Sequence, residues 1–556
     1  MARKDNKSLN VSRFYKAHKK IISTFLIFFV VASMFLMGNS LRPLSSPDEA
    51  RYTEIPREML ASGDFVTPRL NGVKYFEKPP LFYWMQACTI KLFGISNWSA
   101  RLWHAIIGVF GCFCVFLAGK SLFSGRIGLF SAIALASSIL YYALAKFVCL
   151  DMIFSAFFTA SLLCFMAAFN RAVCSKNLFN ALVCGGYAFV GLAFLTKGLV
   201  SIVLVGIILI FFISITRQWR HLKLIAHPGI LIFLAIALPW HITVAIKNPG
   251  FNYQYFVYEH FIRYTTTAHN RYREWWFFFP IMAIGLLPWT GILASGIANS
   301  LSKLKTIDRN MLFLLVWFIV PIAFFSCSGS KLIPYVLPSV PAASMIIAIK
   351  LDQLVDSKTL HISWGYILID LTLGLSALFY LAREGFQDYQ PPELVYMLVF
   401  GCAVVLAAAV PYFTKNPLSF IKSKLVLISC AYAFLSYAIP SVQENNKPSV
   451  VPLIRIIQEN LKKGDLIFCF YSYYQELPLY TGKFVGLVDN FDELEFGAHA
   501  EKVYDRFLIL QQFWELWEGE KRIFAIMKKQ NYERFWENRR HRVLACDKKN
   551  IVLTNR

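Results

Sequence analysis

Charge is scarce in this chain. Only 16% of its 556 residues are Asp, Glu, Lys or Arg, and 57% are hydrophobic; soluble domains carry about 25% charged residues. A soluble protein of this length would hold several domains with charged faces. Those faces are missing, which excludes a soluble protein, a disordered chain, a collagen-like chain and a disulfide scaffold. No cysteine spacing suits a metal. Of the twelve cysteines, Cys112, Cys114, Cys164, Cys184, Cys402 and Cys430 lie inside apolar runs, where a thiol packs as a small hydrophobe. Cys469 and Cys546 lie in the C-terminal tail, free to pair only in an oxidising space. No Walker motif, GxGxxG or other nucleotide cradle occurs. No basic run interleaved with aromatics marks a soluble segment for nucleic acid, and no internal repeat is apparent.

What is present is a succession of apolar runs. The first, Ile21 to Met37, follows a basic tail and lacks a clear cleavage site, so it is expected to be an uncleaved transmembrane helix. Runs able to cross about 30 Å of hydrocarbon follow near 102–121, 127–145, 150–169, 178–196, 198–215, 225–246, 276–296, 311–327, 333–350, 363–381, 394–412 and 420–440. The expected architecture is an α-helical polytopic membrane protein of about thirteen spans. Residues 1–440 form the membrane domain, with long external loops near 41–100 and 247–275. Residues 441–556 form a small α/β domain, because amphipathic stretches (Val451–Leu461, Tyr504–Trp517) alternate with β-like runs (Leu466–Tyr471, Phe484–Val488, Ile551–Thr554).

Basic residues exceed acidic ones by 56 to 33, a formal charge of +23. Most of that excess reads as membrane topology, and the remainder as affinity for lipid or phosphate anions near the external surface. Lys120 and Arg126, Arg171 and Lys176, Arg217 with Arg220 and Lys223, Lys303 with Lys305 and Arg309, and Lys415 with Lys422 fall on alternate loops. The loops between hold single lysines: Lys146, Lys197 and Lys331. This bias puts the N-terminus in the cytoplasm, and an odd span count puts the tail outside, in a bacterium the periplasm.

Ionisable residues beside a membrane are functional by default. The densest group is Ser46-Pro47-Asp48-Glu49-Ala50-Arg51-Tyr52-Thr53-Glu54. Here Asp48 either caps a helix starting at Glu49 or faces a reacting sugar. In Tyr75-Phe76-Glu77-Lys78-Pro79-Pro80, Lys78 either snorkels from an aromatic belt or clamps phosphate. Glu259-His260, Arg263, His269, Arg271 and Arg273 crowd the second long loop, and His260 is either a solvated residue or, with Glu77, half of an O/N site suited to zinc. Lys146 with Asp151, Leu195-Thr196-Lys197-Gly198, and Ser328-Gly329-Ser330-Lys331 with Tyr335 all end on the external face. Converging Lys and Arg suit a phosphate leaving group.

Asp48-Glu49-Ala50-Arg51-Tyr52, the stretch from Met59 to Gly72, and Tyr75 to Leu81 resemble the first external loop of the aminoarabinose transferase family. Leu195 to Gly198, Glu259-His260, Ser330-Lys331-Leu332, Tyr335 to Pro338 and, more thinly, Asp492-Glu493-Leu494 with Phe496-Gly497 extend the likeness. Ile333-Pro334 departs from it, standing where members often have Pro-Thr. The resemblance implies the type C glycosyltransferase fold of the dolichyl-phosphate-mannose protein mannosyltransferase-like group. It further implies a sugar donor on undecaprenyl phosphate, a lipid A acceptor, zinc and no nucleotide. It makes Asp48 and Asp151 the catalytic carboxylates and Glu77 and His260 the metal pair. Lys78, Arg263, Lys331 and Tyr335 become carrier-phosphate contacts, and Arg51, Tyr75 and Lys197 are expected as substrate or carrier-phosphate contacts beside them. The expected protein is a monomer in the bacterial inner membrane. Rival readings are a different sugar, a hydroxyl acceptor, or a lipid flippase; one-sided charges and the lack of a repeat favour the transferase.

Overall fold

The computed structural model describes residues 22, 24–170, 175–266, 272–303, 306–357, 364–388, 391–410, 414, 416–446, 449–537 and 539–556. The basic N-terminal tail, Arg171, His269, Arg271, Lys305 and Lys415 lie outside the described residues.

The membrane domain begins with α1 (Thr24–Leu36). The first long loop then folds as α2 (Asp48–Ser62), a hairpin β1 (Arg69–Leu70)–β2 (Val73–Lys74), and α3 (Leu81–Phe93). The hairpin turn is Asn71-Gly72, both at positive φ (53° and 77°), the conformation a tight two-residue hairpin demands. Next come α4 (Asn97–Leu122), α5 (Gly125–Ser137), α6 (Ile139–Leu144), α7 (Leu150–Phe169), α8 (Lys176–Lys197), α9 (Val200–Thr216) and α10 (Gly229–Lys247). Serines set several starts: Ser96 and Ser99 form a reciprocal capping box ahead of α4, while Ser124 and Ser175 cap α5 and α8. The second long loop forms a π-helix (Tyr253–Ile262) continued by α11 (Arg263–Thr265). Beyond it lie α12 (Phe278–Gly285), α13 (Thr290–Leu301), α14 (Arg309–Ser326), a 3₁₀ segment (Ile333–Ser339), α15 (Val340–Asp356), α16 (Trp364–Asp388), α17 (Pro391–Ala409) and α18 (Pro417–Asn446).

Among the described residues, seven helical stretches are long and apolar enough to cross a membrane: α4, α7, α8, α10, α14, Ile333–Asp356 and the Pro417–Ser436 part of α18. The pair α12 and α13, bent by 111°, passes the same test jointly. Shorter apolar helices are α1, α5, α9 and parts of α16 and α17. Each run expected to span falls on one of these helices; those that meet the length number seven, or eight counting the bent pair. At the centre is α7, nearly every residue of which is buried. Around it stand α4, α8, α9 and the 3₁₀ segment.

The tail folds as α19 (Val451–Asn460), β3 (Leu466–Phe470), α20 (Glu476–Thr481), β4 (Gly486–Val488), α21 (Glu495–Glu501), β5 (Phe507–Leu508), α22 (Leu510–Glu518), β6 (Ile523–Lys528), α23 (Lys529–Phe535), β7 (Arg542–Cys546) and β8 (Asn550–Thr554). Its six-stranded sheet runs β5-β4-β3-β6-β8-β7, parallel from β5 to β6 and antiparallel across β8 and β7. Alternation along β3 and β6 splits their side chains between two cores. Phe468, Phe470, Ile523, Ala525 and Met527 pack with Phe513, Trp517 and Trp536, while Ile467, Cys469, Phe524 and Ile526 join the core shared with the membrane domain. Cys469 and Cys546 are both free. Two strands separate theirs, so about 14 Å divides them, beyond the reach of a disulfide.

The tail grips the first loop. Asn71 exchanges two 2.8 Å hydrogen bonds with the backbone of Val485. Glu501 accepts from the Arg69 guanidinium at 2.9 Å and the Lys74 N–H at 3.1 Å. A Cβ on Gly497 would collide with the Lys74 backbone, so only glycine lets α21 lie this close to β2.

Candidate active site

The first turn of α2 is anchored by a buried carboxylate. Glu49 accepts from Arg101 (2.7 and 2.8 Å), Arg42 (2.7 Å), the Ser45 hydroxyl (2.9 Å) and the Val148 N–H (3.1 Å). Burial by itself would raise this carboxyl, but the two arginines bring it down to about 2. One charged group therefore ties the start of α2 to α4 and to the residues entering α7. The tie turns Asp48 and Asp151 toward the same space. Asp48 does not cap the helix: Pro47 occupies that position without a side-chain bond, and Asp48 is instead paired with Arg51. The capping alternative is thereby removed.

A second knot forms around Glu77. Its carboxylate meets Arg263 and the Tyr75 hydroxyl, with Lys78 at 3.4 Å and Arg51 at 3.6 Å. Burial opposes ionisation here too, yet Lys78, Arg263 and Arg51 together hold the group well below the usual carboxylate range. Lys78 is pulled down by burial against the attraction of Glu77. Arg263 also binds Glu259 at 2.8 Å, and burial with the nearby Glu77 charge raises that carboxyl. The π-helix and the start of α11 bring Glu259, His260 and Arg263 to one wall; π turns recur at functional sites.

His260 donates through Nδ1 to the Tyr255 carbonyl at 2.6 Å, leaving Nε2 as the acceptor. Burial, reinforced by Lys78 and Arg263, keeps the ring down at about 4, so it is neutral near pH 7. Gly198 makes this contact possible. At φ 75° it ends α8, and a Cβ there would strike both His260 and Tyr255. The preceding Lys197 pairs with Asp151 and lies 4.5 Å from the centre of the Tyr335 ring. The 3₁₀ segment containing Ile333-Pro334 delivers Tyr335 to the wall.

These groups surround a cavity of about 690 Å³. Asp48, Arg51, Glu77, Lys78, Asp151, Lys197, His260, Arg263 and Tyr335 all line it. Its other wall is apolar, made by Val200, Val203, Phe324, Phe325 and Leu332. Tyr75 stands just behind, bridging Glu77 and Glu493 (3.1 Å to the latter). Lys331 is buried alongside, donating to the carbonyls of Ser328 (2.6 Å) and Arg273 (2.9 Å).

Two partners were not singled out from sequence as site residues. Glu259 sat beside His260 in the motif, but its ion pair with Arg263 needs the fold; the i,i+4 spacing was the available signal. Glu493, from the tail, pairs with Arg51 and accepts from Gln475 at 2.9 Å. Only its place in a thin family motif pointed to it. Among the described residues, no three His, Cys, Asp or Glu side chains gather as a metal set. Glu77 and His260 nevertheless share the cavity wall, with the His260 Nδ1–H held by a carbonyl as is usual for a ligating imidazole.

Residues 20–255 match the family model for dolichyl-phosphate-mannose-protein mannosyltransferase, and residues 453–555 match the aminoarabinose transferase C-terminal domain. Its apolar helices, charged cavity and first family match make the chain similar to multi-pass membrane glycosyltransferases of the mannosyltransferase-like class. The crystal structure of ArnT from Cupriavidus metallidurans bound to undecaprenyl phosphate superposes with a TM-score of 0.84 at 27% identity, over 96% of this chain and 98% of that one. An undecaprenyl phosphate-alpha-4-amino-4-deoxy-L-arabinose arabinosyl transferase 1 of Proteus mirabilis is 33% identical over 63% of each chain. The corresponding transferase of Photorhabdus laumondii is 30% identical over 58% of each. The chain thus aligns with about three-fifths of the length of these curated relatives. Its sequence and fold are similar to those of the aminoarabinose transferases.

Proposed function

We propose that this protein transfers 4-amino-4-deoxy-L-arabinose from undecaprenyl phosphate to a phosphate of lipid A, as a monomer in the bacterial inner membrane. The observation that carries this reading is the convergence of Asp48, Asp151 and four cations, Arg51, Lys78, Lys197 and Arg263, on a cavity with one apolar wall. The apolar wall suits a prenyl chain and the charged wall a phosphosugar. Four carboxylates (Asp48, Glu77, Asp151, Glu259) formally balance the four cations. That balance favours a head group carrying both a phosphate anion and an ammonium.

The reaction is one displacement with inversion. An acceptor phosphate oxygen bonds to the anomeric carbon as the bond from that carbon to the carrier-phosphate oxygen breaks. Negative charge passes from acceptor to leaving phosphate, and no proton need move. Lys78 and Arg263 oppose the charge growing on the carrier, where a partly dry wall strengthens them. Lys197 and Tyr335 complete that side. Tyr75 fixes Glu77 from behind and Arg51 from the cavity side, and Lys331 holds the turn beneath. With an anionic acceptor Asp48 orients it and balances the sugar ammonium, Asp151 holding Lys197; with a hydroxyl acceptor Asp48 would be the base. Glu77 and His260 would hold zinc, which supplies Lewis acidity toward phosphate oxygens. The loop charge bias supports a cytoplasmic N-terminus and a periplasmic tail.

Mass spectrometry of lipid A and carrier pools, with and without the gene, tests the reading. Loss of aminoarabinose from lipid A with accumulation of the charged carrier is expected. Unchanged pools of both would overturn it. Elemental analysis should find about one zinc per chain, lost in Glu77→Gln; active wild-type protein without metal removes the zinc.

A further inference from the structure

We propose that the opposite end of the membrane domain carries a second binding site, in which Lys303 and Lys350 hold the phosphate of an anionic phospholipid. A cavity of about 440 Å³ opens there, between the ends of α4, α13 and α15 and the start of α14. It lies apart from the reaction cavity. α14 has the one at its first turn and the other at its last, so 18 residues, about 27 Å of helix, separate them.

The central observation is Lys350. It is only 9% exposed, yet among the described residues its ammonium has no hydrogen bond or ion pair, and it lines this cavity. Lys303 lines the same space, so two cations face one opening. Among the described residues lining it, the one carboxylate, Asp308, is occupied by the N–H groups of Asn310 (2.9 Å) and Met311 (3.2 Å) as the cap of α14. The nearby Asp352 and Asp356 are taken up by Arg126. An ammonium on a side chain this buried, with no counter-charge among the described residues, is costly to keep within a membrane protein. An anion arriving in the cavity would remove that cost.

The shape favours a lipid over a free ion. Gly296 lets α13 approach Ile346 and Lys350 closely, which sets the base of the lysine against the neighbouring helix. Leu122, Phe123, Ile307 and Ile349 are half-buried walls of the cavity, able to carry acyl chain. Asn299, Ser300 and Gln353 add polar groups suited to a glycerol head. Lys120, Arg126, Arg217, Lys223 and Arg309 mark this as the basic end of the domain, where anionic lipid collects.

Native mass spectrometry of the full-length protein, titrated with phosphatidylglycerol, phosphatidylethanolamine or inorganic phosphate, provides the test. One phosphatidylglycerol per chain should persist, held at least about tenfold more tightly than phosphatidylethanolamine. Lys350→Met should weaken it about tenfold and Lys350→Arg should restore it. Equal retention of phosphatidylglycerol by the wild type and Lys350→Met would overturn the site. So would displacement of the lipid by millimolar inorganic phosphate, which assigns the cavity to a soluble anion. Should Lys350→Met fail to fold, Lys303→Gln, on an exposed side chain, carries the same comparison.

Discussion

The two ends of α14 open into cavities of different electrical character, one lined by balanced charges and one by a surplus of lysine. At the reaction end each lining cation has a carboxylate partner: Arg51 with Asp48, Lys78 and Arg263 with Glu77, Lys197 with Asp151. At the other end two lysines face open space, and the nearby carboxylates are committed elsewhere. Pairing holds the first set in place before any substrate arrives, which is what electrostatic preorganisation requires. Among the described residues the second set has no such pairing, which under the lipid-site proposal leaves it open to a ligand. The same residue types thus form a paired, fixed wall in one place and an unpaired one in the other, as the two proposals require.

Removing a charge should therefore act in opposite directions at the two ends. The largest effect is expected for Glu49→Gln, which strands Arg42 and Arg101 in the interior. A loss of about 3–5 kcal/mol is expected, read as a lower melting temperature in detergent; an unchanged melting temperature would dismiss the anchor. Next comes Asp48→Asn, which keeps the shape of a side chain not used for capping. Turnover with the lipid-linked donor should fall about 10²-fold or more, while binding of the spent carrier survives. Near-wild-type turnover would move the chemistry elsewhere.

His260 supplies a pH arm. Its folded value of about 4, set first by burial, lies below the unfolded value of about 6.5. Between these the unfolded chain takes the proton and the folded one does not. The contribution is complete above about pH 6.5 and disappears as pH falls through 4. In metal-free protein, melting curves from pH 7 to 4 should fall more steeply for the wild type than for His260→Gln; parallel curves would refute it. The smallest effect belongs to Lys350→Met in lipid-free detergent, where deleting an unpaired buried charge should leave stability level or raise it by about 1 kcal/mol. A drop of several degrees would mean that Lys350 has a protein partner.

Much of this layout was legible before any coordinates. The apolar runs located the helices because a bilayer imposes their length and composition. The clustered charges of the first loop located the cavity because they are too expensive to keep there without use. What escaped reading depended on contacts made across hundreds of residues or on short segments. β6, the apolar run Ile523–Lys528, shows no alternation since both its faces are covered. The hairpin at Asn71-Gly72 has strands of only two residues, too short for a pattern, although its turn pair was the usual signal. The sharp bend between α12 and α13 hides inside a single apolar stretch, where hydropathy stays high through the break. Glu493 could be valued only once α2 and the tail were seen together.

That meeting has a consequence in time. Asn71 and Arg51 reach partners 414 and 442 residues further along the chain. At about 5–20 residues per second of synthesis, the first loop emerges tens of seconds before the segment that clasps it exists. Throughout that interval Arg51 lacks Glu493, and the hairpin lacks Val485 and Glu501. The newborn membrane domain would therefore be assembled around an unfinished wall, and the segment carrying Val485, Glu493 and Glu501 would be the one that closes it.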